Sequence, residues 1–359
     1  MEHFMRKFIF FLSFICAAAC LFAADEKKDF SAKFKTDKAA YNLLVFSDWH
    51  YTDMKFHTPD PKRMWVMEQA KRYADLWKDF SLKTLEAANA HEADFAISAG
   101  DSLEGYFKSP EAQSEALKEL DALVAKYLKR PWVLVPGNHE YSPPAIRDAF
   151  FKTAHELGLT PNSRSFHFRY GKDLYIFWDN ISARLAPIKL ALMENKDVRY
   201  TFLVCHYPVL PSASGSPRWI AFGDEKRDNE RKELLKLLAA RNVIVLNGHI
   251  HTFGISEYQV PEGKITQVNV NSTIDNFRWK TPAKIAMDTE FPFLPKQSYR
   301  RVKDIPAMKA FFREYSGKIT KAEFFNAVGY GVLKVDDNGV NIELYSGSDK
   351  KPFHFWKIR

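Results

Sequence analysis

The sequence predicts an α/β fold, and three observations predict it. Short apolar runs alternate with longer stretches of helical period, as in "WVLVP" at 132–136, which follows an amphipathic segment. Nearly every such run ends at once in glycine or polar residues, here Gly137-Asn138-His139-Glu140, so polar side chains collect at strand ends where open α/β sheets place their ligands. The last third then changes to β patterns. At 359 residues the chain can bury a substantial core in one large domain or two modest ones.

The order begins with a leader. Arg6 and Lys7 precede an almost wholly apolar segment, Phe8 to Phe22, and Asp25, Glu26, Lys27 and Lys28 follow it. Residues 1–24 read as a signal peptide and predict export, to the periplasm, the cell envelope or the medium. Ala17-Ala18-Ala19 before Cys20 leaves a lipoprotein-type cut with acylated Cys20 as an alternative, and an uncleaved membrane anchor as another. A polar linker is expected over 25–40 and the folded domain over 41–359. Of three cysteines only Cys205 lies in that domain, so no internal disulfide framework is expected. The net charge of +8 is spread along the chain, which suits a solvated surface and gives a mild preference for anions.

Tyr41 to Phe46 is the first predicted strand, followed by Ser47-Asp48-Trp49-His50. Arg63 to Ala90 predicts one or two surface helices, Asp94 to Ser98 a strand that ends in Gly100-Asp101, Glu111 to Leu128 a helix, and Trp132 to Val135 a third strand. Ser165 to Phe168 and Leu174 to Asp179 predict a hairpin about Gly171-Lys172. Thr201 to Cys205 is a strand closing in His206, Asn229 to Ala240 a helix, and Asn242 to Leu246 a strand exiting into Asn247-Gly248-His249-Ile250-His251. Lys264 to Val270 is a further strand, and Tyr330 to Val335 with Val340 to Tyr345 form a hairpin across Asp336-Asp337-Asn338-Gly339. Asn276 to Thr320 is expected as an irregular insertion beside the core.

Five strand exits carry metal-ligand types: Asp48 with His50, Asp101, Asn138 with His139, His206, and His249 with His251. Of the eleven histidines, five lie at these exits. His3, His57, His91, His155, His167 and His354 do not, and read as surface or partly buried side chains. Imidazole with carboxylate suits Zn, Mn or Fe, whereas an all-oxygen set would point to Mg or Ca. If both D-x-H and H-x-H are extended, each pair points one way and addresses one site. Two ions held together need a shared ligand, and Asp101 is the natural bridging carboxylate.

These motifs, Asp48-Trp49-His50, Gly100-Asp101, Gly137-Asn138-His139-Glu140, His206 and Gly248-His249-Ile250-His251 in that order, resemble the calcineurin-like metallophosphoesterases from about Leu43 to Thr273. The resemblance implies a four-layer αββα sandwich of two mixed sheets flanked by helices, with the metals at the sheet edge and the C-terminal hairpin in the second sheet. It implies two divalent metal ions, the first held by Asp48, His50, Asp101 and His251, the second by Asp101, Asn138, His206 and His249. It implies hydrolysis of phosphate mono- or diesters by attack of a metal-bound hydroxide. His139 would contact the phosphate or protonate the leaving oxygen, and Glu104 matches an acid that orients this histidine in some members. Glu140 stands where Asp is commoner, and Trp49 where a smaller residue is usual.

A metallo-β-lactamase-like enzyme would need a dense His-x-His-x-Asp-His cluster, which is absent. An inactive binding protein of the same fold and a nuclease of the same superfamily are the alternatives. Nucleic acid is not the expected partner, since no concentrated basic and aromatic groove is visible. The motif set is closest to cyclic-nucleotide phosphodiesterase-like and acid-sphingomyelinase-like branches, and the expected partner is a small phosphate ester such as a nucleotide or lipid head group. Specificity is expected in the loop Tyr207 to Asp228, with Trp219 and Phe222, and in the segment after Asn276. Tyr106 and Tyr141 are further candidates for substrate contact, and Cys205 reads as a buried structural thiol.

Overall fold

Strand β1 (Tyr41–Phe46) sends Leu43 and Val45 to one side and Leu44 and Phe46 to the other, and all four are fully buried. A strand apolar on both faces must be covered on both, and this requirement builds the architecture. The computed structural model describes residues 30, 32–59, 64–213, 215–274, 281–296 and 304–359. The leader with Cys20, the first part of the linker, Asp275, and 276–280 and 297–303 of the expected insertion are among the residues outside them.

β1 pairs in parallel with β2 (Phe95–Ser98), which pairs in parallel with β3 (Trp132–Leu134). The second sheet holds a hairpin of β4 (Phe166–Tyr170) and β5 (Asp173–Phe177), then β6 (Thr201–Val204) and β7 (Ile244–Asn247) in parallel with β5. It continues through β9 (Gly263–Asn269), β8 (Phe253–Val260), β11 (Ile319–Asn326) and the two-residue β10 (Ala283–Lys284). The C-terminal strands β12 (Gly329–Asp336), β13 (Gly339–Ser346) and β14 (His354–Lys357) return to the first sheet, giving the order β14-β13-β12-β1-β2-β3.

The expected hairpin is therefore real, with Asp336 paired to Gly339 and the Asp336 carboxylate accepting the Asn338 and Gly339 N–H groups, but its sheet is the first and not the second. β2 occupies one edge of β1, and β12 caps the other with an antiparallel ladder, so the first strand has no open edge.

Leu43, Val45, Phe95, Ile97 and Val133 from the first sheet meet Tyr175, Phe177, Phe202, Val204 and Leu246 from the second in one core. The outer face of the first sheet (Leu44, Phe46, Leu134) packs on Tyr73, Leu85, Leu117 and Phe150, from helices Met64–Leu76, Leu82–Asn89, Pro110–Tyr127 and Arg147–Glu156. The outer face of the second (Ile176, Leu203, Val245) packs on Ile188, Leu234 and Phe312, from helices Ala186–Glu194, Asp228–Ala240 and Ile305–Arg313. This is the four-layer αββα sandwich. None of the described helices is long and apolar enough to cross a membrane.

In the described part of 276–320, 281–296 is largely irregular apart from β10, as expected, whereas Ile305–Arg313 is a helix. Asp304 caps helix Ile305–Arg313 by accepting the Ala307 N–H, and Phe291, Leu294, Met308, Phe312 and Tyr315 are buried in the second outer core. Phe and Met spaced three and four apart make one apolar face of that helix, a pattern hidden in the sequence by its length of only nine residues.

Candidate metal centre

The parallel strands β1, β2 and β3 of one sheet and β6 and β7 of the other all end at one place, and each predicted ligand follows one of these ends. The loops are stitched to one another before any side chain is considered. Asp48 N–H donates to the Gly100 carbonyl, His50 N–H to Asp101, Tyr51 N–H to Ser102, and Glu104 N–H back to Tyr51. Asp48, His50, Asp101, His249 and His251 have φ of 50°, 48°, 48°, 70° and 51°, a left-handed conformation in which Asp and His are better tolerated than most side chains. The extended alternation expected for D-x-H and H-x-H is thereby overturned. Asp48 and His50 do reach one group, but His249 and His251 divide between two.

One group is Asp48, His50 and His251; another is Asp101, His206 and His249; a third is His50, Glu104 and His139. In the first, His251 Nε2 lies 3.2 Å from Asp48 Oδ1 and 3.1 Å from His50 Nε2. In the second, His206 Nε2 lies 3.2 Å from Asp101 Oδ2, 3.1 Å from Asn138 Oδ1 and 3.2 Å from His249 Nδ1. His206 Nδ1 lies 3.0 Å from the Ala99 carbonyl, so it carries a proton and turns Nε2 toward the other groups. The Asp101 carboxylate, the Asn138 amide oxygen and the His249 nitrogen thus crowd one point at His206 Nε2, an arrangement that calls for positive charge there, as a metal ion or as a second proton on His206. The residues fit divalent metal ions with nitrogen and oxygen ligands, and the two groups suggest a dinuclear site.

The electrostatics agree. Burial alone would raise the Asp48 carboxyl, but His251 and His206 override it and hold it down at about 2. Burial, with His206 beside it, lowers His249 to about 3, and burial lowers His50, so both imidazoles are neutral and free to ligate. Burial opposes charge on His206 and His139 as well, yet the Asp101 carboxylate pushes each up to about 9. The buried carboxylates demand positive charge.

Two glycines are fixed by close approach. A Cβ on Gly137 would lie 2.1 Å from Asp101 Oδ1, and one on Gly248 1.7 Å from Ser47 Oγ and 2.5 Å from Asp48 Oδ2. Gly137 is thus required by close approach and not by a left-handed backbone, since its φ is not positive.

His139 donates its backbone N–H to Asp101 Oδ1 at 2.8 Å, and its Nδ1 sits 2.5 Å from the Glu104 carbonyl. The Glu104 carboxylate is 3.6 Å from that nitrogen but only 2.8 Å from His50 Nδ1. The main chain of Glu104 therefore holds His139, while its side chain backs His50. Gln69, which the sequence reading did not single out, donates Nε2–H to Glu104 Oε1 at 2.7 Å. Glu140 is also structural: fully buried, it accepts N–H groups from Gly137 at 2.5 Å, Leu103 at 2.8 Å and Asp101 at 3.1 Å, tying two ligand loops together.

Among the other candidates, Tyr106 lies near His139, with ring centroids 6.4 Å apart. Tyr141 turns away and donates its hydroxyl to Asp179. Phe222 is buried against Trp178 and is no substrate contact, whereas Trp219 packs edge-on to His249. Cys205 is fully buried, and burial pushes its thiol up. His57, His91, His155, His167 and His354 stand outside the three groups, and His3 lies outside the described residues.

The model of the calcineurin-like phosphoesterase family matches residues 41–253, more than half of the chain. No curated protein sequence matches. Solved structures with a similar fold include a purple acid phosphatase from yellow lupin (Lupinus luteus) seeds, with TM-score 0.56 and 12% identity over 89% of this chain and 54% of that one. PhoD matches with TM-score 0.53 and 10% identity over 90% of this chain and 69% of that one. A dimetal phosphatase from Danio rerio matches with TM-score 0.52 and 11% identity over 89% of this chain and 99% of that one. The chain thus spans about half the length of the lupin protein, and at these identities the likeness is one of fold.

Proposed function

Since the chain belongs to the calcineurin-like phosphoesterase family, we propose that it is an exported dinuclear-metal hydrolase of small phosphate mono- or diesters. The observation that carries this reading is the set of lone pairs converging on His206 Nε2 from Asp101, Asn138 and His249, beside a second group of Asp48, His50 and His251. Asp48, His50, Asp101 and His251 would hold one ion, and Asp101, Asn138, His206 and His249 the other. When bound, two such cations supply a water acidic enough to attack phosphorus and neutralise charge on the phosphoryl oxygens.

The chain's own groups supply the rest. The Glu104 carbonyl fixes His139 Nδ1, so Nε2 faces the centre, 3.9 Å from Asp101 Oδ2. Held up at about 9, His139 keeps its proton at neutral pH and can give it to the departing alcohol oxygen. The expected substrate is a nucleotide, a lipid head group or a similar ester, met outside the cytoplasm, with Cys20 or the leader as a means of attachment to the membrane.

The test is elemental analysis of protein lacking residues 1–24, with hydrolysis of bis-p-nitrophenyl phosphate and p-nitrophenyl phosphate before and after chelation and add-back of Mn, Fe or Zn. About two metals per chain with metal-restored cleavage is the expected result. Metal-replete protein inert on every ester would leave the inactive binding protein, and absence of specific metal would overturn the ligand assignment.

A further inference from the structure

Among the described tryptophans, Trp49, Trp77, Trp132, Trp178 and Trp356 are buried, while Trp65 and Trp219 are 58% and 46% exposed. The two exposed indoles come from different sheets of the sandwich. Trp65 begins the helix that follows β1, and Trp219 ends the short helix Ser216–Trp219 that follows β6. Both nonetheless lie beside histidines of the metal centre, Trp65 through Tyr106 and Trp219 directly. Trp65 meets Tyr106 edge to face at 5.9 Å, and Tyr106 meets His139 in the same way at 6.4 Å. Trp219 meets His249 directly at 5.6 Å, and Tyr207 packs on the same imidazole at 4.5 Å.

Among the described residues, neither indole belongs to a hydrophobic core. Gly215 lets the Trp219 ring fold over the backbone, since a Cβ there would lie 2.4 Å from the indole, so the ring is fixed in place without being buried. Large apolar side chains left open to water beside a polar centre mark a surface kept for an apolar ligand group. The phosphate belongs to the centre itself, so what the indoles meet is the remainder of the ester.

We propose that Trp65 and Trp219 wall the two sides of a subsite for an apolar substituent of the phosphate ester, a planar ring or an acyl chain. The inference rests on the phosphoesterase reading for the location of the phosphate but not on turnover. A small polar ester such as glycerol phosphate would leave both indoles in water and bind without their help.

The test is calorimetric titration of the manganese-loaded full chain with 2-naphthylphosphonate, dodecylphosphonate and methylphosphonate, none of which is an ester that can be cleaved. The expected result is that one or both apolar phosphonates bind at least ten-fold tighter than methylphosphonate, as one aromatic stack supplies roughly that factor. Trp65→Ala and Trp219→Ala should each remove most of that advantage, and Trp65→Phe should keep more of it than Trp65→Ala. Phe355→Ala, which deletes an exposed ring on β14, should leave the preference unchanged. The naphthyl-to-dodecyl ratio tells ring from chain. Equal affinity for all three ligands, a loss in the Trp variants that is the same for methylphosphonate, or no binding of any of them would overturn the subsite. Hydrolysis of 2-naphthyl phosphate and of bis(2-naphthyl) phosphate is followed in parallel: tryptophan-dependent binding without turnover of either would sink the phosphoesterase reading and leave the subsite standing.

Discussion

The two halves of the metal centre are held by different means. Around His206 the support is main chain: the Ala99 carbonyl fixes its Nδ1, and the His139 N–H fixes the Asp101 carboxylate. Around His50 the support is a relay of side chains, Gln69 to the Glu104 carboxylate to His50 Nδ1, and His251 beside it is 23% exposed. A carbonyl at the end of a central strand cannot move without the sheet, whereas a glutamate held from a surface helix can be adjusted or replaced. The His206 half is thus built as the rigid one, and the His50 half as the one whose affinity is set by surrounding side chains.

Asp101→Asn tests this contrast most severely. It removes the charge that serves both His206 and His139, and activity should fall by orders of magnitude with loss of metal by elemental analysis; a metal-replete, active variant would remove Asp101 as the bridge. His139→Ala comes next, with turnover lowered by roughly 100- to 10,000-fold while both metals are retained. Loss of metal there would place His139 among the ligands. Glu104→Gln should lower activity or metal affinity by about ten-fold, with the weakened ion confined to the His50 half. A loss as deep as that of His139→Ala would make the carboxylate the direct partner of His139 and erase the distinction between its carbonyl and its side chain. Gln69→Ala should have the smallest effect, roughly five-fold in affinity for the more weakly held ion, because it removes one hydrogen bond to a charged group.

The gathering of these residues was legible because metal chemistry demands particular residue types at strand ends, and five separate exits supplied them. The supports were less so. Glu104 occupies the position of an orienting acid, but the longer side chain of Glu reaches past His139 to His50, leaving its own carbonyl to do the orienting. Gln69 sits in an amphipathic helix where a polar residue reads as solvated, so nothing local marks it. Glu140 looked like a departure from a pattern until its burial showed a carboxylate that accepts three backbone N–H groups.

In the fold, the parallel strands were legible as short apolar runs, whereas β8, β11 and β14 were not. β11 alternates poorly, with exposed Thr320 and Lys321 followed by buried Phe324 and Phe325 side by side. β14 is four residues long and carries the exposed Phe355. The hairpin β12–β13 was read correctly from its turn, but a turn fixes only local pairing; which sheet it joins is decided by the open edge of β1, some 280 residues earlier in the chain.

The left-handed residues at the centre lie in loops from both sheets, and the contacts between His50 and His251 and between Asp48 and His249 each span 201 residues. During synthesis, a nascent chain that has not yet extended to β7 owns Asp48, His50, Asp101 and Asn138 but neither histidine of the Gly248 loop. A chain that stops short of His251 therefore cannot assemble the complete ligand set, and ions held there would clasp the first sheet to the second. Chelation should accordingly loosen the seam between the sheets before it melts either of them.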